Sequence, residues 1–261
     1  MDETLENAEV VLSMGKVATL EINRPEKRNA VHSEMWKSLL AACERIGGNP
    51  DTRVLLLKGR GLHFCGGADI SEFSNAYASD ASAERYNSHY AAIETALRHL
   101  PFPVIAEIRG ACFGGGLGLA LSADFRFCDT TAMFAVTASK LGIAYSPEDT
   151  ARVIEKIGPA RAKDLLFSAR TVMADEALAW NLVDRVFAAE ELEAAVEQYA
   201  HTLVTRSKAS LRAIKTIVNK LAEPGQVLCD SLRPTYSELF RGSDIKEGAR
   251  AFMAKREPNF E

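Results

Sequence analysis

Phe64-Cys65-Gly66-Gly67-Ala68-Asp69-Ile70 and Gly110-Ala111-Cys112-Phe113-Gly114-Gly115-Gly116-Leu117-Gly118 decide the reading of this chain. Each follows a strand-like apolar run, Val54-Leu55-Leu56-Leu57 in the first case and Val104-Ile105-Ala106-Glu107-Ile108 in the second, and each leads into a segment that can continue as a helix. A glycine-rich turn that opens a helix presents unpaired N–H groups with the positive end of the helix dipole behind them. Donors from two such turns, converging on one oxygen, would stabilise the oxyanion formed from a thioester carbonyl. The pair of turns therefore points to acyl chemistry.

Working outward, Glu9–Ser13 and Val17–Ile22 flank Met14-Gly15-Lys16 as a strand pair around a glycine turn, and Asn23–Asn29 reads as a polar loop. Ser33–Ile46 carries Met35, Trp36, Leu39, Leu40 and Cys43 at the spacing of one helical face and stops at Gly47-Gly48-Asn49-Pro50. Ala81–Leu100 reads as a long helix ended by Pro101-Phe102-Pro103. Phe125–Cys128, Met133–Val136 and Leu182–Val186 are further short strands. Strands alternating with helices give an α/β class. From Ala188 onward the pattern is helical with a break at Glu223-Pro224-Gly225, which divides the chain into a core, 1–187, and a helical region, 188–261.

The 261 residues are 47% hydrophobic with a net charge of −4, enough apolar material for a large core and no basic footprint of a nucleic-acid binder. The acidic start lacks a signal pattern, and no apolar run is long enough to span a bilayer, so a soluble cytoplasmic protein without membrane contact is expected. Cys43, Cys65, Cys112, Cys128 and Cys229 are widely spaced and odd in number, as reduced core thiols would be; neither they nor the histidines form a metal motif, and no metal or separate cofactor is expected. A dinucleotide fingerprint also fails, because Gly114 and Gly116 would require glycine at Leu119, and Gly116 and Gly118 at Leu121.

In order along nearly the whole chain, Asn23–Ala30, Phe64–Ile70, Gly110–Gly118, Ala123-Asp124, Glu247–Phe252 and Lys255–Phe260 resemble the crotonase superfamily, the enoyl-CoA hydratase/isomerase family. That resemblance implies a spiral of ββα units with a C-terminal helical region that assembles trimers or dimers of trimers, and acyl-CoA thioesters as substrates. It places the two oxyanion donors at the N–H groups of Ala68 and Gly115. It implies coenzyme contacts from the backbone near Gly66 and from Asp69 and Ile70 to adenine, from Lys27 and Arg28 to the phosphates, and from Phe252 and Lys255 of a neighbouring subunit; Ala30, Gly114, Gly118, Ala138 and Leu141 complete the substrate-binding set.

Hydratases of the family carry two water-activating glutamates, and here the matching positions are Gly118 and Ala138. Ordinary enoyl-CoA hydration is therefore not expected. Gly118 either makes room for substrate or permits a close helix contact. Tyr145 stands where some family decarboxylases place a tyrosine, which makes it a catalytic candidate and a decarboxylase of malonyl-type CoA an alternative; a noncatalytic acyl-CoA-binding protein is the alternative from another class. Ser146-Pro147-Glu148-Asp149 reads as a helix start, with its acids capping the first turn. Glu72 and His89 are weaker acid–base candidates.

Overall fold

A computed structural model describes residues 5–7, 9–222 and 232–260. Cys229, the Glu223-Pro224-Gly225 break and the first four residues lie outside the described residues. Strands β2 (Val10–Ser13) and β3 (Val17–Ile22) form the hairpin around the Gly15 turn, with β1 (Leu5–Asn7) antiparallel on its outer edge. Beyond β3 the pairing turns parallel through β4 (Val54–Gly59), β5 (Val104–Ile108), β7 (Phe125–Asp129) and β10 (Arg185–Phe187), in the spatial order β1-β2-β3-β4-β5-β7-β10. A smaller sheet joins β6 (Ala111–Phe113), β8 (Met133–Ala135) and β9 (Val172–Met173).

The central strands are buried on both faces, which explains their unbroken apolar runs. Alternation assigns Leu55, Leu57, Val104, Ala106 and Ile108 to the main core, shared with α1 (Ser33–Gly47), α3 (Asp80–His99) and α4 (Gly115–Ser122). The opposite faces, Val54, Leu56, Ile105 and Phe127, pack against Leu192, Val196 and Ala200 of α7 (Leu192–Val204). Packing on the sheet thus does not end at residue 187: α7 supplies the second face of the core, and the part of the chain separate from the sheet begins with α8 (Lys208–Ala222), followed by α9 (Arg233–Glu238) and α10 (Asp244–Met253).

Buried polar groups fasten these layers. Arg126, almost fully enclosed, donates from Nε to Leu182 O at 3.1 Å and from Nη1 to Ala123 O at 3.0 Å, and pairs with Asp184 at 2.7 Å. Asp124 Oδ2 accepts from Val104 N–H at 2.8 Å and from Lys215 Nζ of α8 at 2.8 Å. Cys43, Cys65, Cys112 and Cys128 are free, buried thiols, as composition led one to expect.

The two turns leave the C-terminal ends of the neighbouring parallel strands β4 and β5, where α/β sheets commonly form ligand crevices. A bridge between Cys65 and Cys112 holds them in register: Cys65 N–H donates to Ala111 O at 2.9 Å, and Phe113 N–H returns to Cys65 O at 2.9 Å. Gly116 makes this approach possible, since a Cβ there would lie 2.5 Å from Cys65 O. Helix α5 (Pro147–Ser168) completes the surroundings of the site and breaks at Gly158-Pro159, where Gly158 has φ 76°.

Candidate active site

A cavity of about 740 Å³ opens between the two turns, α3 and the start of α5. Val31 N–H donates to Gly67 O at 2.8 Å and Asp69 N–H donates to Val31 O at 2.9 Å. The alternation of an extended segment turns the intervening Ala68 N–H away from Val31. Gly115 is the first residue of α4, so its N–H has no intrahelical acceptor. Among the described residues neither N–H has a hydrogen-bond partner. The turns are close: the position of a Cβ on Gly67, which has φ 94°, is 3.5 Å from Gly115 N.

Gly114 (φ 49°, ψ −117°) sets the direction of the Gly115 N–H. Its carbonyl accepts from Gly118 N–H at 3.1 Å and from the Tyr145 hydroxyl at 2.9 Å. The Gly114 carbonyl and the Gly115 N–H are opposite ends of one peptide plane. Tyr145 therefore fixes and polarises the amide whose N–H faces the cavity. Burial, followed by the negative charge of Asp149, raises the Tyr145 phenol well above its ordinary value, so it remains a hydrogen-bond donor.

Gly118 does not face the cavity. A Cβ at this position would fall 2.0 Å from Tyr90 Oη, 2.3 Å from Glu94 Oε1 and 2.7 Å from Asp149 Oδ1. Of the two readings of Gly118, the close-contact one describes the structure: the space left by the missing side chain is filled from α3 and α5 rather than kept open for substrate. Tyr90, Glu94 and Asp149 all line the cavity.

Their connections differ. Asp149 Oδ2 accepts from Tyr90 Oη at 2.8 Å and from Ser146 Oγ at 2.9 Å, while Oδ1 accepts from Arg152 Nη1 at 2.8 Å. Arg152 Nη1 also reaches Glu94 Oε2 at 2.8 Å. Glu94 Oε1 is buried without any hydrogen-bond partner. Burial, and then the neighbouring Asp149 carboxyl, push the Glu94 acid up to about 8, against the opposing pull of Arg152. Both Asp149 oxygens accept from donors, whereas Glu94 Oε1 accepts from none and lies against the Tyr90 and Asp149 side chains that perturb its acid.

Ser146 caps α5, its Oγ accepting from Asp149 N–H at 3.0 Å, and the Asp149 side chain is wholly buried against the cavity. Glu148 lines the cavity as an exposed residue. Glu72 accepts from Ser33 N–H at 2.7 Å and from Ser33 Oγ at 2.8 Å, which makes it a cap for α1. His89 is not on the cavity wall.

Gly66, Ala68, Ile70, Gly114, Gly115, Ala138, Leu141 and Tyr145 line the cavity as a group. Asp69 does not: its carboxylate accepts from Ser71 Oγ at 2.6 Å and Arg24 Nη1 at 2.6 Å, which hold it down to about 2. Arg24 also donates to Ala30 O at 3.2 Å, so it staples the Asn23-Arg24-Pro25 turn to the Ala68 turn. Lys27 and Arg28 are exposed beside that turn, where Gly66 N–H donates to Arg28 O at 2.8 Å. Phe252, 82% exposed, and Lys255 lie on or just after α10, away from the wall of this cavity. Among the described residues no cluster of His, Cys, Asp and Glu is arranged to hold a metal ion.

Comparison with known proteins agrees with this architecture. Residues 13–261 match the enoyl-CoA hydratase/isomerase family, and the chain belongs to it. A crotonyl-CoA hydratase of Syntrophomonas wolfei is 31% identical over 247 residues, covering 94% of each chain. A mitochondrial Delta(3,5)-Delta(2,4)-dienoyl-CoA isomerase of Mus musculus is 31% identical over 271 residues, covering 98% of this chain and 82% of its own. The crystal structure of an enoyl-CoA hydratase/carnithine racemase from Magnetospirillum magneticum superposes with a TM-score of 0.94 at 32% identity, covering 99% of this chain and 97% of that one. The fold is the crotonase fold with its C-terminal helices, and the protein is a hydratase/isomerase-family enzyme.

Proposed function

We propose that this enzyme shifts a carbon–carbon double bond in an enoyl-CoA thioester by moving one proton, with the thioester oxygen held by the N–H groups of Ala68 and Gly115 and the proton carried by Glu94. The observation that carries this reading is the buried carboxyl oxygen without a donor, Glu94 Oε1, in the same cavity that the Ala68 and Gly115 amides line. In the step, the ionised Glu94 takes the proton from C2 of a 3-enoyl thioester. The C2–H electron pair becomes the C1–C2 bond of a dienolate, whose negative oxygen lies against the two amides. Glu94 then delivers its proton to C4, the double bond moves to C2–C3, and the carboxylate is regenerated.

Hydration asks for more: one group must position and deprotonate water while another protonates carbon. Asp149, whose oxygens already accept from Tyr90, Ser146 and Arg152, is placed to orient the cluster rather than to take a further proton. Gly118 and Ala138 supply no acid. The malonyl-type decarboxylase reading loses its support, because no Lys or Arg lies among the described lining residues to receive a substrate carboxylate, and the Tyr145 hydroxyl is engaged with Gly114. Tyr145 acts through the Gly115 amide as a positioning residue.

The coenzyme portion fits the exposed edge formed by Gly66, Ile70, Lys27 and Arg28, with Phe252 and Lys255 reaching it from a second subunit of a trimer. The exposed apolar residues Ile214, Val218, Tyr236, Phe240, Phe252 and Met253 favour such an assembly. Turnover tests the reading: 3-hexenoyl-CoA should gain the absorbance of a conjugated enoyl thioester, faster than crotonyl-CoA loses it by hydration. Efficient hydration without isomerisation would overturn the proposal, and binding without turnover of either compound would make the protein a noncatalytic acyl-CoA binder.

A further inference from the structure

The side of the cavity facing the glycine turns is a continuous aromatic array. Trp36 of α1, Phe73 of α2 (Phe73–Ala76), Tyr77, and Tyr86 and Tyr90 of α3 all line it. The rings support one another: Trp36 and Tyr90 meet edge to face with centroids 5.0 Å apart, Phe73 and Tyr77 at 5.1 Å, Tyr77 and Tyr86 at 5.9 Å, and Phe73 and Tyr86 at 6.3 Å. Trp36 Nε1–H donates to the Tyr86 hydroxyl at 3.5 Å, joining the two halves of the array.

The array starts at the reacting end of the site. A Cβ on Gly115 would lie 3.3 Å from the Tyr90 ring and 3.5 Å from the Trp36 ring. An acyl group whose thioester oxygen rests on the Gly115 N–H therefore has its first carbons beside Trp36 and Tyr90, and the rings of Tyr86, Phe73 and Tyr77 ahead of it. Aromatic surfaces preferentially accept another ring offset or edge-on, a preference beyond the burial of apolar area. A ring also presents this wall with a large rigid surface, whereas a straight chain of equal carbon count must be ordered bond by bond.

We infer that the acyl group of the substrate carries an aromatic ring a few carbons from the thioester, so that the substrate class is an aryl-substituted acyl-CoA rather than a straight-chain one. This rests on the acyl-CoA reading above and narrows it. The ring lies in the cavity against the wall formed by Tyr86, Phe73 and Tyr90, while C2 to C4 remain next to Glu94.

The decisive comparison holds the acyl carbon count constant and removes first the π system and then the ring. Calorimetry with 5-phenylpentanoyl-CoA, 5-cyclohexylpentanoyl-CoA and undecanoyl-CoA, which have equal numbers of acyl carbons, should show the phenyl compound binding on the order of tenfold more tightly than either other, the effect of about two good ring contacts. Phe73→Leu, which keeps apolar volume, should bring the phenyl-to-cyclohexyl ratio to within about threefold while leaving the affinity for free coenzyme A unchanged. A cyclohexyl or straight-chain compound bound as tightly as the phenyl compound, or an unchanged ratio in Phe73→Leu, would overturn the inference. Turnover of 5-phenylpent-3-enoyl-CoA judges the isomerisation reading separately, because the binding ratio stands whether or not the bond shifts.

Discussion

Placing a single methyl group at residue 118 is the sharpest perturbation of this site. In Gly118→Ala the new Cβ falls 2.0 Å from Tyr90 Oη, 2.3 Å from Glu94 Oε1 and 2.7 Å from Asp149 Oδ1, all far inside contact distance. On helix propensity alone the substitution would stabilise α4 by about 1 kcal/mol. Against that stands overpacking, which costs about 1–3 kcal/mol. A further cost of about 1.5–3 kcal/mol comes from loosening a hydrogen bond to a charged group, since Glu94 is tied to Arg152, and Tyr90 to Asp149. The net expectation is a loss of about 1.5–5 kcal/mol, on the order of 3–20 °C in thermal midpoint for a chain of this size. Turnover should fall by about 10²-fold or more, because Glu94 leaves its position, while coenzyme A affinity changes by no more than about threefold. In a Tyr90→Phe background, which removes the nearest oxygen, the same substitution should cost measurably less, a coupling read by a double-mutant cycle with thermal unfolding and initial rates. A Gly118→Ala protein with an unchanged or higher midpoint and full activity would refute the packing described here.

Other substitutions separate the roles of the neighbouring groups. Tyr145→Phe should lower kcat by about tenfold with KM within about threefold, because it loosens the Gly114–Gly115 peptide without touching the coenzyme site; a change confined to KM would place the hydroxyl on the substrate instead. The raised Glu94 acid makes kcat/KM rise with pH to a plateau above about 8, since the base must be ionised; an ordinary carboxylate would give a flat profile from about pH 6. The same shift has a stability sign. The folded state holds the Glu94 proton more tightly than the unfolded chain, so this contribution is complete below the ordinary value of 4.5 and is lost as pH rises towards about 8. Glu94→Gln should flatten that decline in thermal midpoint, and a decline equal to wild type would assign it to other groups. Light scattering should give a trimer or a multiple of one; a monomer at micromolar concentration would remove the subunit-bridging role of Phe252 and Lys255.

Much of this was legible in the sequence where one stretch carried its own signal. The Gly15 hairpin, the runs of β4 and β5, and the stops at Gly47-Gly48 and Pro101-Phe102-Pro103 fixed strands and helices close to those observed, with α1 at Ser33–Gly47 and α3 at Asp80–His99. The two glycine turns pointed to unpaired backbone N–H groups, a property of the backbone that shows as partnerless amides at Ala68 and Gly115 among the described residues. Glu94 was not found, since its role depends on an atom that is missing elsewhere. The acid reaches the site because Gly118, twenty-four residues away in sequence, has no side chain. A trace did exist. Tyr86, Tyr90, Ile93 and Leu97 mark the buried face of α3, and Glu94 stands on that face, where an acid must find a partner.

Asp149 shows the converse difficulty. Ser146-Pro147-Glu148-Asp149 signals a helix start, and the cap exists, but the same aspartate reaches across to Tyr90 and Arg152. Local capping chemistry hid a tertiary role. The helix α7 is a related case: its pattern is helical like the tail, and the burial of Leu192, Val196 and Ala200 on the sheet is a tertiary contact that the pattern does not carry.

Hydrogen exchange at the carbon next to the thioester reports on enolate formation itself. In D₂O, the enzyme should introduce deuterium at C2 of a bound non-reacting thioester such as butyryl-CoA, followed by mass spectrometry, if the proposed enolate stabilisation by the Ala68 and Gly115 amides and proton transfer by Glu94 operate. Glu94→Gln should slow this exchange by about 10²-fold or more while the thioester still binds. Exchange that persists at the wild-type rate in Glu94→Gln would contradict the account.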